Sequence, residues 1–285
     1  TPPALQAVLR VHHSTTNQSV SFDDMIAAAA RADIVFFGEQ HDDPETHFAE
    51  FALLDGIARI RPRVVVSLEM FERDVQPLLD AYLAGRMSEA DFLAGSRPWE
   101  RYATDYRGLV LLARARGWPV VAANIPRAIA NAVSRKGLTA LDTLPASSRT
   151  FAARELSCPR DAYFDRFAEE MKAHGSGGPG SAPNAAEMRL MTDRFYAAQC
   201  AKDETMGESI AQALHVAGPG AIVVHFNGAF HSDYRYGTAE RARRRAPGAT
   251  SVVITAIPVA APENPGPTVP AAKAEFVVFT RKPRA

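Results

Sequence analysis

The chain has 285 residues, of which 47% are apolar and 22% charged, and its 32 basic and 32 acidic side chains give a formal net charge of zero. This apolar fraction excludes a wholly disordered chain, and the charge balance argues against a nucleic-acid binder, which needs a basic excess. No apolar run approaches the roughly 20 residues that span a bilayer. The composition therefore predicts an ordinary globular protein.

Short β-branched runs alternate with longer helical patterns along the chain. Continuous apolar strands of this kind are covered on both faces, and their alternation with helices is typical of a parallel sheet. We therefore predict an α/β fold with a mainly parallel sheet flanked by helices. The strands are predicted at 34–37, 64–68, 120–123, 221–224, 252–254 and 276–279, and the helices between them at 45–61, 74–94, 105–117 and 126–136, with a short helix beginning at Ser88.

Residues 140–215 interrupt this alternation with a smaller helical insertion. A loop rich in Gly, Ser and Pro at 175–183 precedes a helix that begins at an Asn184–Glu187 capping pattern and runs to about Leu214. The sheet domain is then formed by residues 20–139 and 216–285.

Two cysteines, Cys158 and Cys200, lie in this insertion, and the chain has no others. If the protein is exported, a disulfide between them is expected; otherwise they are a pair of buried, inert thiols.

Polar residues follow four of the predicted strands at the points where the strands end. Glu39 and His41 follow the first strand, Glu69 the second, Asn124 the third, and His231 the strand at 221–224. The carboxyl ends of parallel strands lie on one edge of an open sheet, where ligands bind, and a parallel barrel gives the same convergence. We therefore expect these side chains to surround one cleft.

Two carboxylates and two imidazoles around a cleft support more than one chemistry. His41, Glu69 and His231 are candidate ligands for a divalent metal, and a hydrolase would use Glu39, His41, Glu69 and His231 as its catalytic residues. Without a metal, repulsion between Glu39 and Glu69 would raise one carboxyl pKa and create an acid/base pair. A third interpretation is a purely structural hydrogen-bond network. Arg127, one helical turn past the third strand, can hold a carboxylate or phosphate.

Two further features of the sequence are expected at the protein surface. His47, on the helix after the first motif, is expected to be a surface residue that could still reach the strand ends. The basic cluster at 241–245 is expected to decorate an exposed helix.

Five motifs in order resemble the ChaN-like haem-binding lipoprotein family, and the likeness covers about residues 20–257. They lie at 38–42 (GEQHD), 67–71 (SLEMF), 122–127 (AANIPR), 199–206 (QCAKDETM) and 227–231 (NGAFH). The wider superfamily includes TIKI/TraB proteins and erythromycin esterase-like hydrolases, which share paired Gly-x-x-His motifs. Here these motifs are Gly38–His41 and Gly228–His231.

The resemblance implies a bacterial cell-envelope protein that binds haem during iron uptake. It would lie in the periplasm or at the outer membrane, attached only through a lipid anchor that is not visible in this chain. Haem in the family sits at the helical part, paired subunits can enclose it, and a tyrosine assisted by a histidine binds the iron. By location, Tyr163, Tyr196 and His174 are the candidate ligands, with Arg127 as a further cofactor-binding residue. A homodimer is expected, and a nucleic-acid partner is not.

Overall fold

The computed structural model describes residues 9–174, 184–265 and 269–282, and its strands form one sheet in the order β2-β1-β8-β7-β3-β6-β4-β5. All neighbours from β8 to β5 are parallel, whereas β1 is antiparallel to both β2 and β8. The predicted α/β fold with a mainly parallel sheet is confirmed. The strands are β1 (Arg10–His13), β2 (Gln18–Val20), β3 (Ile34–Glu39), β4 (Val64–Glu72), β5 (Val120–Asn124), β6 (Ile222–Gly228), β7 (Ser251–Val259) and β8 (Phe276–Arg281).

Helices cover both faces of the sheet. In chain order they are α1 (Phe22–Ala29), α2 (Pro44–Ile60), α3 (Gln76–Leu83), α4 (Glu89–Ser96), α5 (Arg107–Arg116), α6 (Arg127–Lys136), α7 (Ala146–Arg149), α8 (Ala162–His174), α9 (Ala185–Ala217) and α10 (Gly237–Arg245). A π-helical turn at Tyr102–Tyr106 leads into α5, and a 3-10 turn at Ala229–His231 follows β6. None of the helices in the described ranges is both long and apolar enough to cross a bilayer.

Strand alternation divides the core between the two faces. Successive side chains of a strand point to opposite sides of the sheet. Val35 and Phe37 of β3 accordingly pack in the large cluster with α1–α5, which we call the first face. Ile34 and Phe36 pack on the second face, where Ile210 of α9 meets residues of α10.

Helix ends follow the local signals in the sequence. Ser88 accepts a hydrogen bond from the backbone N–H of Asp91 at the start of α4, and Asn184 with Glu187 forms a complete capping box at the start of α9. Gly137, with φ of 77°, ends α6. Side-chain caps and C-terminal glycines therefore set these boundaries, as predicted.

Three details of the prediction are wrong. The helix predicted at 74–94 is two helices, because Gly85 adopts a positive φ of 71° and Ser88 caps a new helix. The predicted strand 64–68 continues to Glu72 with a register irregularity against β5, so Glu69 lies inside β4. The short strands β1 and β2 were not predicted.

In the 140–215 segment, α9 is one continuous helix of 33 residues. Cys158, before α8, is disulfide-bonded to Cys200 of α9, so the two cysteines are not free thiols. The predicted loop at 175–183 lies outside the described residues. The division into a sheet domain and an insertion stays a prediction.

Candidate functional site

A cleft of about 810 Å³ opens at the carboxyl ends of β3, β4, β5 and β6. The strand-end residues singled out from the sequence line it together, along with Arg127 of α6, and aromatic rings of Trp99, Phe167 and Phe230 complete its walls. The convergence expected of parallel strands is thus observed. The strand-end residues are Glu39, His41, Glu69, Asn124 and His231.

Glu39 ends β3 on the first face and is fully buried. Its Oε1 accepts hydrogen bonds from the Tyr106 hydroxyl at 2.9 Å and from the His41 ring, whose Nδ1 lies 2.5 Å away. The His41 side chain is 51% exposed at the cleft surface. Burial alone would lower the pKa of His41, but its hydrogen bond to Glu39 and the Glu39 charge raise this pKa above the ordinary value.

Glu69 belongs to the second face and forms a separate network. Its Oε2 accepts a 2.8 Å hydrogen bond from the backbone N–H of Gly228, and its Oε1 lies 3.3 Å from His231 Nε2. The other ring nitrogen of His231 lies 2.7 Å from Asp203 Oδ1 of α9. His231 therefore lies between two carboxylates.

The position of His231 between Glu69 and Asp203 determines which of these groups are charged. Burial opposes a charged imidazole, but Glu69 and Asp203 together raise the pKa of His231 to about 10. Burial likewise opposes ionisation of Glu69, but His231 lowers the pKa of that carboxyl well below its usual range. Behind them, burial lowers the pKa of His225 to about 3. The second face thus carries a buried ion pair beside a neutral imidazole.

The glycines of the paired motifs permit close approach at the strand ends. A Cβ on Gly38 would lie 2.9 Å from the Cα of Ala229, and one on Gly228 would lie 2.8 Å from His41 Nε2. Both contacts are closer than real Cβ atoms allow. The Gly-x-x-His spacing therefore allows the two strand ends and their histidines to pack together.

The two tyrosine candidates lie behind the cleft wall. The Tyr163 hydroxyl donates to Asp203 Oδ2 at 2.8 Å, and the Tyr196 hydroxyl donates to the carbonyl oxygen of Pro159 at 2.8 Å. Burial and the neighbouring Asp203 charge raise the pKa of Tyr163 well above its usual value, and burial raises that of Tyr196 to about 12. Both are thus neutral phenols here. His174 ends α8, and its side chain lies outside the part of the chain that the structure describes.

The other two residues that the sequence predicted at the cleft are Asn124 and Arg127. Asn124 donates from Nδ2 to the backbone oxygen of Glu69, and its Oδ1 accepts from the N–H of Ile125, so its amide secures the ends of β4 and β5. Arg127 is exposed at the cleft and forms no ion pair with any other described residue.

Both surface assignments need correction. His47 is buried, because α2 turns it onto Glu39 and Glu50. Arg241 is 2% exposed and pairs with the buried Glu204 of α9, so this part of the basic cluster is interior. Both residues can be buried because carboxylates compensate their charge or polarity.

The acidic residues that lie outside the strands and contribute to the site were not predicted from the sequence. Glu50, Asp105 and Asp203 received no role, although each contacts a strand-end group or its partner. For Glu50 a signal existed: it lies four residues before Leu54 and seven before Ile57, on the apolar stripe of α2. A polar residue on such a stripe is predicted to be buried and partnered.

A search of protein-family models matches residues 25–242 to the family described as haem-binding uptake, Tiki superfamily, ChaN. No curated protein matches the chain significantly. Among solved structures, ChaN of Campylobacter jejuni, described in a study of its cofacial haem binding, aligns with a TM-score of 0.70 at 14% identity, covering 95% of this chain and 96% of that one.

Two looser matches are the type III effector HopBA1 and a mutant of the erythromycin esterase EreC. HopBA1 aligns with a TM-score of 0.48 at 8% identity over 92% of this chain and 94% of its own. EreC aligns with a TM-score of 0.44 at 13% identity over 87% and 76%. The family model covers most of the chain, so this protein belongs to the ChaN haem-binding uptake family of the Tiki superfamily.

Proposed function

We propose that this protein binds haem in the strand-end cleft and serves haem or iron uptake in the bacterial cell envelope. Membership of the haem-binding family is the observation that carries the proposal. The metal-dependent hydrolase considered from the sequence is not favoured by the comparisons.

The cleft suits a flat, largely apolar ligand with acidic substituents. Its volume of about 810 Å³ is in the range of sites for cofactor-sized molecules. Phe167 offers a ring surface to a porphyrin face, whereas the guanidinium of Arg166 already lies over the Phe230 ring, 4.3 Å from its centroid. Arg127, unpaired among the described residues, is placed to bind a haem propionate.

Tyr196 is the stronger tyrosine candidate for the iron ligand. To bind ferric iron as phenolate, Tyr163 must lose its proton beside Asp203, which opposes a second negative charge. Tyr196 releases only a neutral backbone carbonyl oxygen, and because it is buried behind the cleft wall it must also turn toward the cleft. His174, the last residue of α8, remains the proposed assisting histidine by its location alone.

The family description and the cofacial haem of the Campylobacter protein support a further proposal, that two copies of this chain enclose a pair of haems. The disulfide supports an envelope location, because such bonds persist in oxidising compartments.

Titration of the haem-free protein with hemin, followed by the Soret band, tests the proposal. We expect saturation at one haem per chain, with a shift to dimer in sedimentation analysis. Arg127→Ala should weaken binding about tenfold, because a charge-assisted hydrogen bond contributes about 1.5 kcal/mol. Arg135→Ala, an exposed change on the same helix that does not line the cleft, is the matched control.

Tyr196→Phe should abolish the phenolate-to-iron charge-transfer band, whereas Tyr163→Phe should retain it. Absence of a saturable Soret band would refute haem binding. Cell fractionation tests the location separately: recovery of the protein only from the cytoplasm would contradict the envelope proposal.

A further inference from the structure

A buried cluster of Glu39, His47 and Glu50 lies beneath the first-face wall of the cleft. His47 and Glu50 are three residues apart on α2, which places both on one side of the helix, facing Glu39 at the end of β3. His47 Nδ1 lies 3.0 Å from Glu50 Oε2 and 3.5 Å from Glu39 Oε2. One potential ligand atom from each residue lies within 4.8 Å of the others. We call these three residues the Glu–His–Glu cluster.

Two oxygens of the cluster are buried without a hydrogen-bond partner among the described residues. They are Glu39 Oε2 and Glu50 Oε1, and both side chains are 0% exposed. A carboxylate oxygen removed from water without compensation is strongly unfavourable. These oxygens therefore need either a cation or a proton.

The surroundings of His47 favour a cation. Its Nε2 lies 3.2 Å from the backbone oxygen of His41 and 3.3 Å from Asp105 Oδ2, both acceptors. With the proton on Nε2, Nδ1 directs its lone pair between the Glu39 and Glu50 carboxylates. A metal-binding histidine characteristically donates its other N–H to a carbonyl or carboxylate in this manner.

The other carboxylate oxygen of Glu39, Oε1, is already hydrogen-bonded. Oε1 accepts from the Tyr106 hydroxyl and from the His41 ring, which leaves Oε2 free toward the cluster. Asp105 is itself paired with Arg101 and Glu39 with the His41 ring, so the remaining carboxylate charge of the cluster is that of Glu50. A divalent ion would neutralise it.

We propose that the Glu–His–Glu cluster binds one divalent transition-metal ion, of the Zn²⁺ or Mn²⁺ class. One imidazole nitrogen with carboxylate oxygens is a ligand set that suits these ions. The site is separate from haem iron, and it also differs from the His41, Glu69 and His231 set expected from the sequence.

The empty cluster would hold a proton in place of the ion. Burial and the nearby Glu39 charge raise the pKa of Glu50 well above its usual value. A proton shared by the two carboxyls is therefore the competing state, and metal binding would displace it.

Equilibrium dialysis of the full-length, haem-free and chelator-treated protein against Zn²⁺ or Mn²⁺ alone tests the proposal, with bound metal counted by elemental mass spectrometry. We expect one equivalent in the wild type. Glu50→Gln and His47→Gln should weaken binding at least tenfold, since each removes a ligand. Tyr106→Phe removes only a hydrogen bond to a ligand and should weaken binding by about 10–100-fold. Glu69→Gln, on the opposite face of the sheet, tests the alternative His41, Glu69 and His231 set and should bind normally, and the exposed Glu263→Gln is the matched control.

The outcomes are distinct. No stoichiometric binding in the wild type, or binding unaffected by Glu50→Gln and His47→Gln, overturns the proposal. Loss confined to Glu69→Gln would place the ion in the His41, Glu69 and His231 set and would also overturn it. If the ligand variants do not fold by circular dichroism, Tyr106→Phe and a metal-dependent rise in the wild-type melting temperature decide the matter. Hemin titration of metal-free protein keeps this result separate from haem binding.

Discussion

Removing the Cys158–Cys200 disulfide should destabilise the protein by about 4 kcal/mol at 25 °C. The bond joins residues 42 positions apart. Under the chain-entropy relation, a loop of this length restricts the unfolded chain by about 4 kcal/mol of free energy. Neither cysteine lies in a strand of the sheet. We therefore expect the reduced protein to remain folded but to be less stable.

Urea-induced unfolding measures this effect. The free energy of unfolding is compared for the oxidised wild type, the reduced wild type and the double variant Cys158→Ser/Cys200→Ser. Because the chain has only these two cysteines, any effect of reductant on the wild type reports this bond alone. The double variant is the control and should not respond to reductant.

The bond also lies beside Tyr163 and Tyr196, with Cys200 packed in the same aromatic cluster. Hydrogen exchange in α8 should therefore accelerate more than in β3 when the bond is lost. A loss of less than 1 kcal/mol, or equal acceleration in both elements, would refute this reasoning.

Three further predictions concern packing and charge. Gly38→Ala should lower the free energy of unfolding by about 1–3 kcal/mol in denaturant titrations, because its Cβ would lie 2.9 Å from a backbone atom, whereas Gly248→Ala has open space and should be nearly neutral. Glu204→Gln should lower it by about 3 kcal/mol, because it leaves the buried Arg241 with a weakened partner. The raised pKa of His231, about 10 against 6.5 unfolded, contributes stability that is fully present below pH 6.5 and lost as pH rises through 10. That loss is up to ~5 kcal/mol, measurable by unfolding at successive pH values, and His231→Asn should flatten the dependence.

Each of these three predictions has an outcome that would contradict it. Equal stability of the two glycine variants would exclude the steric argument. For Glu204→Gln the control is Glu263→Gln, which removes an exposed ion pair and should have little effect on the free energy of unfolding. An equal loss of stability in the two variants would show that burial does not determine the cost of removing the charge. A wild-type profile that is flat from pH 6.5 to 10 would show that His231 is not held as a cation.

The strands and the cleft were predictable because their signals are local. Six strands have continuous apolar runs, and the polar residues at their ends follow directly in sequence. β1 and β2 are only four and three residues long, too short to carry a pattern. The helical contribution was not predictable in the same way: the rotation of α2 about its axis decides that His47 and Glu50 face Glu39, and this rotation depends on packing against the sheet.

The tyrosine candidates show another limit. Sequence position placed Tyr163 and Tyr196 near the expected haem, but it gives no information on whether a hydroxyl is already engaged. Only the contacts to Asp203 and Pro159 reveal that both phenols must change partner before they can bind iron.

The two outer strands of the described sheet constrain how copies of the chain can associate. β2 has three residues and β5 has five, so either rim exposes few unpaired backbone groups to a neighbouring molecule. Continuing the sheet across two subunits would gain few hydrogen bonds. A dimer of the kind proposed for haem capture would therefore have to form through side-chain surfaces.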